Sequence, residues 1–255
     1  MPEIPQLEKR AILASYGRKT WLPLGLALLA ASALSAFYLP WISPIFVLGL
    51  LFTLWFFRDP ERRSDAPHEA LLAPADGKVV EIGAAEEPQF VGGPAHKIAI
   101  FMSVFDVHVN RSPCDATVDW TRHEDGKFLN AMGPQASVEN ERVLVALRRA
   151  CPEGARKAGP EESRMARRST DVQGRPEGTR MGGKPLLLKL IAGLVARRIV
   201  CPLKPGDSLR RGQRLGMIQF GSRVEIFLPR SEKFEPAVRL GQKVRAGRTV
   251  LGNWR

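Results

Sequence analysis

From Trp21 to Phe57 the chain runs for 37 residues without one charged side chain. A single helix of that length would measure about 55 Å, well beyond a hydrocarbon core of about 30 Å. Pro40 and Pro44 sit near its middle, where they break a helix and permit a turn. The pattern therefore predicts two apolar limbs, Trp21–Leu39 and Trp41–Phe57, folded as a helical hairpin. Trp21, Tyr38, Trp41 and Trp55 fall near the limb ends, where interface-seeking aromatics belong. Lys9, Arg10, Arg18 and Lys19 precede the run, and Arg58, Arg62 and Arg63 follow it. The positive-inside tendency then puts both ends of the hairpin in the cytoplasm, with the hairpin dipping into or across the cell membrane. A cleaved signal peptide fits poorly, because the run is too long and no small-residue cleavage site precedes Arg58-Asp59-Pro60.

From Ala70 onward the pattern changes to short Val-, Ile- and Phe-rich runs punctuated by Gly, Pro and Asp. Lys78–Ile82, Lys97–Ser103, Thr117–Trp120, Val143–Leu147 and Val224–Leu228 read as strands. In the last, Val224, Ile226 and Leu228 are expected on one face and Arg223, Glu225 and Phe227 on the other. Leu186–Val200 is apolar enough for a third span, but Lys189, Arg197 and Arg198 favour a strand pair bending at Ala192-Gly193. Two late stretches echo each other: Gly206, Gly212 and Gly216 in GDSLRRGQRLG, and Gly241, Gly247 and Gly252 in GQKVRAGRTVLG. A repeated short hairpin in a small barrel or sandwich, of the lipoyl or biotinyl kind, would produce this pattern. The expected fold class is α+β: an N-terminal apolar helical hairpin followed by a mainly-β domain with lipoyl-like barrel or sandwich repeats. The expected division is a basic tail over 1–20, the hairpin over 21–57 and a β-rich domain over 58–255.

Composition adds to this. Apolar residues make up 44% and charged residues 25%, which excludes global disorder. The formal net charge of +12 points to an anionic partner: nucleic acid, anionic lipid or a phosphorylated substrate. Few aromatics lie outside the hairpin and no recognition motif is present, so nucleic acid is disfavoured. Part of the surplus lies in 148–184, a Gly- and Pro-rich stretch expected to be a flexible basic insertion. Cys114, Cys151 and Cys201 form neither metal-ligand spacing nor an even disulfide framework, consistent with a reducing compartment.

Candidate chemistry is sparse. His108 lies in FMSVFDVHVNRSP, and a strand there would put Asp106, His108 and Asn110 on one face as an acid–base group or as a solvated polar face. Asp76-Gly77 in APADGKV has the make-up of a tight turn. Ser222 follows Gly221 between two β-like runs. No HExxH, CxxC, Walker loop or GxSxG occurs, so metal hydrolysis, redox disulfide, nucleotide and ordinary serine-esterase chemistry lose support.

Together, in order, the N-terminal hairpin, FFRDPER, APADGKV, FMSVFDVHVNRSP, ENER, IAGLVARRIVC, RLGMIQFGSRVEIFLP and GQKVRAGRTVLG resemble the phosphatidylserine decarboxylase family, in its short bacterial and archaeal proenzyme form. The resemblance covers all but the N-terminal tail and the basic insertion. It implies self-cleavage between Gly221 and Ser222, leaving a β chain of residues 1–221 and an α chain of residues 222–255. Ser222 would become a pyruvoyl group that condenses with the substrate amine, so that neither metal nor pyridoxal phosphate is needed. It also implies His108 as general base and acid, with Asp76 or Asp106 as the carboxylate that orients it. Longer family members carry a second His three residues after the one matching His108; here that place holds Arg111. The implied substrate is phosphatidylserine in an anionic membrane at the cytoplasmic face, and Arg197 and Arg198 are candidates for its phosphate. The competing reading is a non-catalytic, membrane-tethered barrel-type binding module, for which Ser222 would be dispensable.

Overall fold

The computed structural model describes residues 12–150, 183–194 and 198–254. Two helices come first, α1 (Arg18–Tyr38) and α2 (Ser43–Phe56). The turn between them holds Pro40, and Pro44 starts α2, where its missing N–H costs nothing. Gly25 against Leu50 and Gly49 against Leu28 let the two helices approach closely. No side chain of α1 is buried, and only Thr53 and Phe56 are buried in α2. Ser15–Tyr38 has the length and mean hydropathy (1.6) to cross a membrane. At 14 residues α2 is about 21 Å long, short of a full crossing.

The rest of the described chain is mainly β, in three antiparallel sheets. Its strands are β1 (Ala70–Leu72), β2 (Gly77–Glu87), β3 (Gly93–Met102), β4 (Val109–Arg111), β5 (Ala116–Glu124), β6 (Arg142–Ala150) and β7 (Gly183–Ala192). They continue with β8 (Ile199–Val200), β9 (Ser208–Leu209), β10 (Arg214–Ile218), β11 (Ser222–Pro229), β12 (Phe234–Pro236), β13 (Lys243–Val244) and β14 (Val250–Trp254). A one-turn helix, α3 (Ala136–Glu139), precedes β6. A curled eight-stranded sheet has the order β13-β2-β3-β11-β7-β6-β5-β9, and two three-stranded sheets have the orders β1-β14-β12 and β4-β10-β8. The expected α+β class holds, and each predicted strand lies within an observed one or overlaps it.

These orders are mirror images about the β11–β7 pair, because the domain is two copies of one unit with the second nested inside the first. β1, β2, β3 and β11 to β14 form the outer copy, and β4 to β10 the inner one. The hydrogen bonds repeat position by position. Gly206 N–H donates to the Val118 carbonyl as Gly241 N–H does to that of Val79, each at 2.8 Å. Gly212 N–H donates to Ser112 O as Gly247 N–H does to Ala73 O, again at 2.8 Å. Leu72 N–H reaches Pro113 O while Arg111 N–H reaches Pro74 O, so the two copies exchange equivalent bonds.

The glycine echo therefore marks a duplication, but its strands are not hairpins. β9 joins β5 in the large sheet while β10 joins β4 in a small one, and β13 and β14 part in the same way. Each glycine turn carries the chain from one sheet to another. A carboxylate caps it: Asp115 accepts from Arg211 N–H and Asp76 from Ala246 N–H, both at 2.8 Å.

The main core fills the space between these sheets, with Ile98, Ile100, Val145, Leu188, Leu190, Val224, Ile226 and Leu251 at its centre. β11 is buried on both faces. Val224, Ile226 and Leu228 join that core and Phe227 packs on the other side, as alternation predicts. On that second side Arg223 and Glu225 are also buried, paired with each other at 2.7 Å, and Glu225 pairs with Lys97 at 3.2 Å. Two strands do lie within the stretch over 186–200, β7 and β8, but they belong to different sheets and do not pair with each other; 195–197 lie outside the described residues. Arg148, Arg149 and Lys184 belong to the paired ends of β6 and β7, so strand extends into both ends of the expected insertion; 151–182 lie outside the described residues.

Asp76 does more than its counterpart. Its carboxylate also forms a two-pronged ion pair with Arg62, at 2.5 and 2.7 Å, with both side chains at most one-tenth exposed. Removing one partner of a buried pair costs about 3–5 kcal/mol, against about 1 kcal/mol for a single exposed cap. Asp76→Ala is thus expected to lower unfolding free energy several times more than Asp115→Ala, whose side chain is 43% exposed. Denaturant titration of the two variants in detergent checks the ordering.

Candidate active site

The nesting forces the chain to cross between copies twice. Residues 103–108 lead out from the end of β3, and residues 219–221 lead back to the start of β11. β3 and β11 are neighbours, with Met102 opposite Ser222, so both crossings meet at one end of the large sheet. His108, Gly221 and Ser222 all lie there.

The way back is sharply kinked. Phe220 and Gly221 both take left-handed conformations, with φ of 64° and 66°. Glycine tolerates this freely; for Phe220 it costs on the order of 1–2 kcal/mol. The strained ring is held by packing. It stacks on Phe56 at 4.4 Å between centroids, and Phe56 in turn lies 4.3 Å from the His108 ring. Phe56 is the last residue of α2, so the base of the apolar hairpin is a wall of the site. Thr20 in α1 adds a hydrogen bond to the Gln219 side chain at 3.3 Å. Ala14 N–H to Phe57 O and Asp59 N–H to Ile12 O, at 2.7 and 2.9 Å, fasten the two feet of the hairpin to each other.

His108 is fully buried. Its Nδ1 lies 2.9 Å from the main-chain carbonyl of Asp106, and its Nε2 lies 3.2 Å from the Gly221 amide nitrogen. The carbonyl can only accept and the amide can only donate, so the proton sits on Nδ1 and Nε2 presents a lone pair. Burial pushes the imidazole down to about 4, against smaller upward pulls from the Asp106 carbonyl and the Asp106 and Asp76 charges. The ring is a neutral base at neutral pH.

Ser222 is also fully buried, and its hydroxyl donates to the Met102 sulfur at 3.3 Å. Asn110 Nδ2 donates to the same sulfur at 3.7 Å, while its buried Oδ1 has no partner. On the far side of the bond, a Cβ on Gly193 would stand 2.2 Å from the Gly221 carbonyl oxygen and 3.2 Å from Ala131 Cβ. Only glycine fits there.

His108 is thus brought to the Gly221–Ser222 segment, but the carboxylates have other partners. Residues 103–108 form a turn, not a strand, so Asp106 and His108 do not share a strand face. The Asp106 carboxylate folds back to accept from Ser103 N–H and Oγ, both at 2.8 Å, and it is its carbonyl that holds the ring. Asp76 holds Arg62 and the Ala246 amide. Arg198 is exposed; its carbonyl accepts from Gln219 N–H at 3.1 Å. Arg197 lies outside the described residues. Sequence reasoning missed Phe56, Met102, Gly193, Gln219 and Phe220 as parts of the site. All lie in or beside the quoted motifs, yet nothing in their spacing brings them together.

Comparison with known sequences gives the family. The sequence model of the family described as phosphatidylserine decarboxylase matches residues 50–158 and 167–252. The chain belongs to that family. Among similar proteins is one from Magnetococcus marinus, 39% identical over 249 residues, which span 96% of this chain and 97% of the relative. One from Cupriavidus pinatubonensis is 42% identical over 83% of this chain and 82% of its own length. Another, from Syntrophus aciditrophicus, is 35% identical over 94% and 98%. All three carry the name phosphatidylserine decarboxylase proenzyme.

The lowered pKa of His108 sets a pH dependence. Its folded value lies below the ordinary 6.5, so its contribution to stability is intact above about 6.5. It is lost as pH falls toward 4, by about 3 kcal/mol for such a shift. Histidine NMR on the Ser222→Ala chain is expected to show Nε2 of His108 unprotonated at pH 6, with a midpoint near 4. A midpoint near 6.5 would contradict the buried, neutral ring.

Proposed function

We propose that this chain is a proenzyme that cleaves itself between Gly221 and Ser222, and whose mature form decarboxylates phosphatidylserine to phosphatidylethanolamine and CO2. The family to which it belongs supports decarboxylation of this lipid. The observation that carries self-cleavage is the unprotonated Nε2 of buried His108 against Gly221, next to a buried Ser222 hydroxyl whose acceptor is only a thioether.

In the precursor His108 Nε2 is engaged by the Gly221 amide and the Ser222 hydroxyl rests on Met102. A rotation of the Ser222 side chain brings its hydroxyl from the sulfur toward His108. Nε2 takes the hydroxyl proton as Oγ attacks the Gly221 carbonyl carbon; the bond from that carbon to the Ser222 nitrogen then breaks, the nitrogen takes the proton from Nε2, and the amide has become an ester on Ser222. Base-catalysed proton transfer of this kind typically contributes about 10²–10⁴-fold. Removal of the Ser222 α-proton then expels the Gly221 carboxylate and frees the new C-terminus of the β chain. The left-handed kink at Phe220-Gly221 stores strain that cleavage releases. The neutral ring suits the first step, since a protonated imidazole could not act as base.

A pyruvoyl group at position 222 would be held between Met102 and Ala192, the strand neighbours of Ser222, with the free Oδ1 of Asn110 nearby. Those residues fit a small, uncharged keto group. When formed it would supply an electron sink for the departing CO2, the role a carbonyl cofactor plays elsewhere. His108 would return a proton to the substrate carbon once its Nε2 has taken one up, as when the substrate ammonium loses a proton on condensing with the keto group. The hairpin belongs to the same reading: its exposed apolar surface enters the bilayer and keeps the site at the membrane, where a diacyl lipid already resides. The 14-residue α2 favours entry over two full crossings. The basic tail and the arginines flanking the hairpin then lie on the cytoplasmic face, toward anionic lipid.

Intact mass of the purified chain tests the reading. Wild type is expected as two pieces split after Gly221, the smaller carrying a pyruvoyl terminus, and Ser222→Ala as one uncut chain. His108→Ala is expected to slow cleavage by at least 100-fold. Gly193→Ala places a methyl group on the Gly221 carbonyl and is expected to block cleavage as well. A wild-type chain that stays whole yet binds lipid would favour the non-catalytic binding module.

A further inference from the structure

Among the described residues beyond the hairpin, five large hydrophobic side chains stand exposed: Phe105, Met132, Val138, Leu194 and Leu240. Three of them stand next in the chain to residues packed about the Gly221–Ser222 segment or its base. Phe105 is 66% exposed at the tip of the turn whose next carbonyl holds His108. Leu194, 65% exposed, follows Gly193, which packs on the Gly221 carbonyl. Met132, 56% exposed, follows Ala131, which touches Gly193. Exposed apolar side chains gathered at one place mark a contact surface.

We propose that Phe105, Met132 and Leu194 form a lip that inserts into the bilayer around the mouth of the site, so that the β domain itself, and not only the hairpin, grips the membrane. The inference rests on the lipid-decarboxylase reading and names how the substrate surface meets the site.

Continuity with the hairpin identifies a membrane as the occupant. The Phe105 ring lies edge-on to Trp55 of α2 at 6.1 Å. Arg58 joins the two: its guanidinium lies 3.8 Å from the centre of the Trp55 ring and donates to the carbonyls of Trp55 and Phe105 at 2.8 and 2.9 Å. A tryptophan with an arginine beside it, at the end of an uncharged helix, sits at headgroup level. Phe105 is at the same level. The turn is also made compatible with lipid. Its single acid, Asp106, faces inward onto Ser103 N–H and Oγ, leaving Val104 and Phe105 at the tip.

The test uses the full chain in vesicles. Phe105→Ser and Leu194→Ser, singly and together, are assayed on long-chain phosphatidylserine in the bilayer and on dissolved dihexanoyl phosphatidylserine. The double variant is expected to lose at least tenfold in turnover of the bilayer lipid and less than twofold on the dissolved one, with self-cleavage complete by mass. Equal losses on both substrates, or no loss on either, would overturn the lip. A second measurement does not depend on activity. An environment-sensitive fluorophore on Phe105→Cys, in a Cys151→Ser, Cys201→Ser background, is expected to be quenched by nitroxide-labelled lipids in phosphatidylcholine–phosphatidylglycerol vesicles. A water-exposed, unquenched probe would overturn the lip. A wild type inactive on both substrates would instead sink the decarboxylase reading, and the quenching would still decide the contact.

Discussion

Everything at this site follows from the antiparallel pairing of β3 with β11. Because these strands are neighbours, the chain must return beside the point where it left, however much is inserted between. Here the insertion is a second copy of the same β unit. The register that puts Ser222 opposite Met102 therefore sets the outgoing turn, with His108, against the returning kink, with Gly221. Main-chain hydrogen bonds on both sides of β11, to β3 and β7, fix that relation.

The duplication also separates structural from chemical roles. Asp76 and Asp115 occupy equivalent places and cap equivalent turns with bonds of the same length. Only Asp76 has Arg62 drawn into a buried pair, and Arg62 comes from the segment that links the hairpin to the β domain. Asp76, the candidate orienting carboxylate, is engaged here by Arg62 and the Ala246 amide and so also joins the segment after the hairpin to the β domain. Orientation of the base falls to a main-chain carbonyl instead. A carbonyl selects the Nδ1–H tautomer, and its upward pull on the pKa is outweighed by burial, so the ring stays neutral.

Much of this architecture was legible in the sequence. A 37-residue run without charge cannot rest easily in water, so the hairpin declared itself; the short strands did so through apolar runs ended by Gly, Pro and Asp. The glycine echo revealed half of the duplication. Its other half, the likeness of Ala73-Pro-Ala-Asp76 to Ser112-Pro-Cys-Asp115, is four residues long and gains meaning only when the turns are seen to be capped alike. The Gly-Ser bond and His108 stood out by motif. Their surroundings did not, because they come from pairing between distant strands: Met102, Ala192 and Ser222 are side by side through register alone. The left-handed Phe220 carries no sequence signal, since its conformation is imposed by packing.

That packing joins the apolar hairpin to the candidate site. Phe220 would relax from its strained conformation if nothing held it, and what holds it is Phe56, the end of the hairpin. The same ring lies against His108. The kink and the base thus share a support that belongs to neither crossing. A hairpin foot loosened from the barrel would free both, so assembly of the site depends on the hairpin being seated. The clasps at Ala14–Phe57, Ile12–Asp59 and Arg62–Asp76 all act at that foot. If the chain cleaves itself at this kink as proposed, tethering the kink to the hairpin makes cleavage conditional on the element that would bring the site to its lipid.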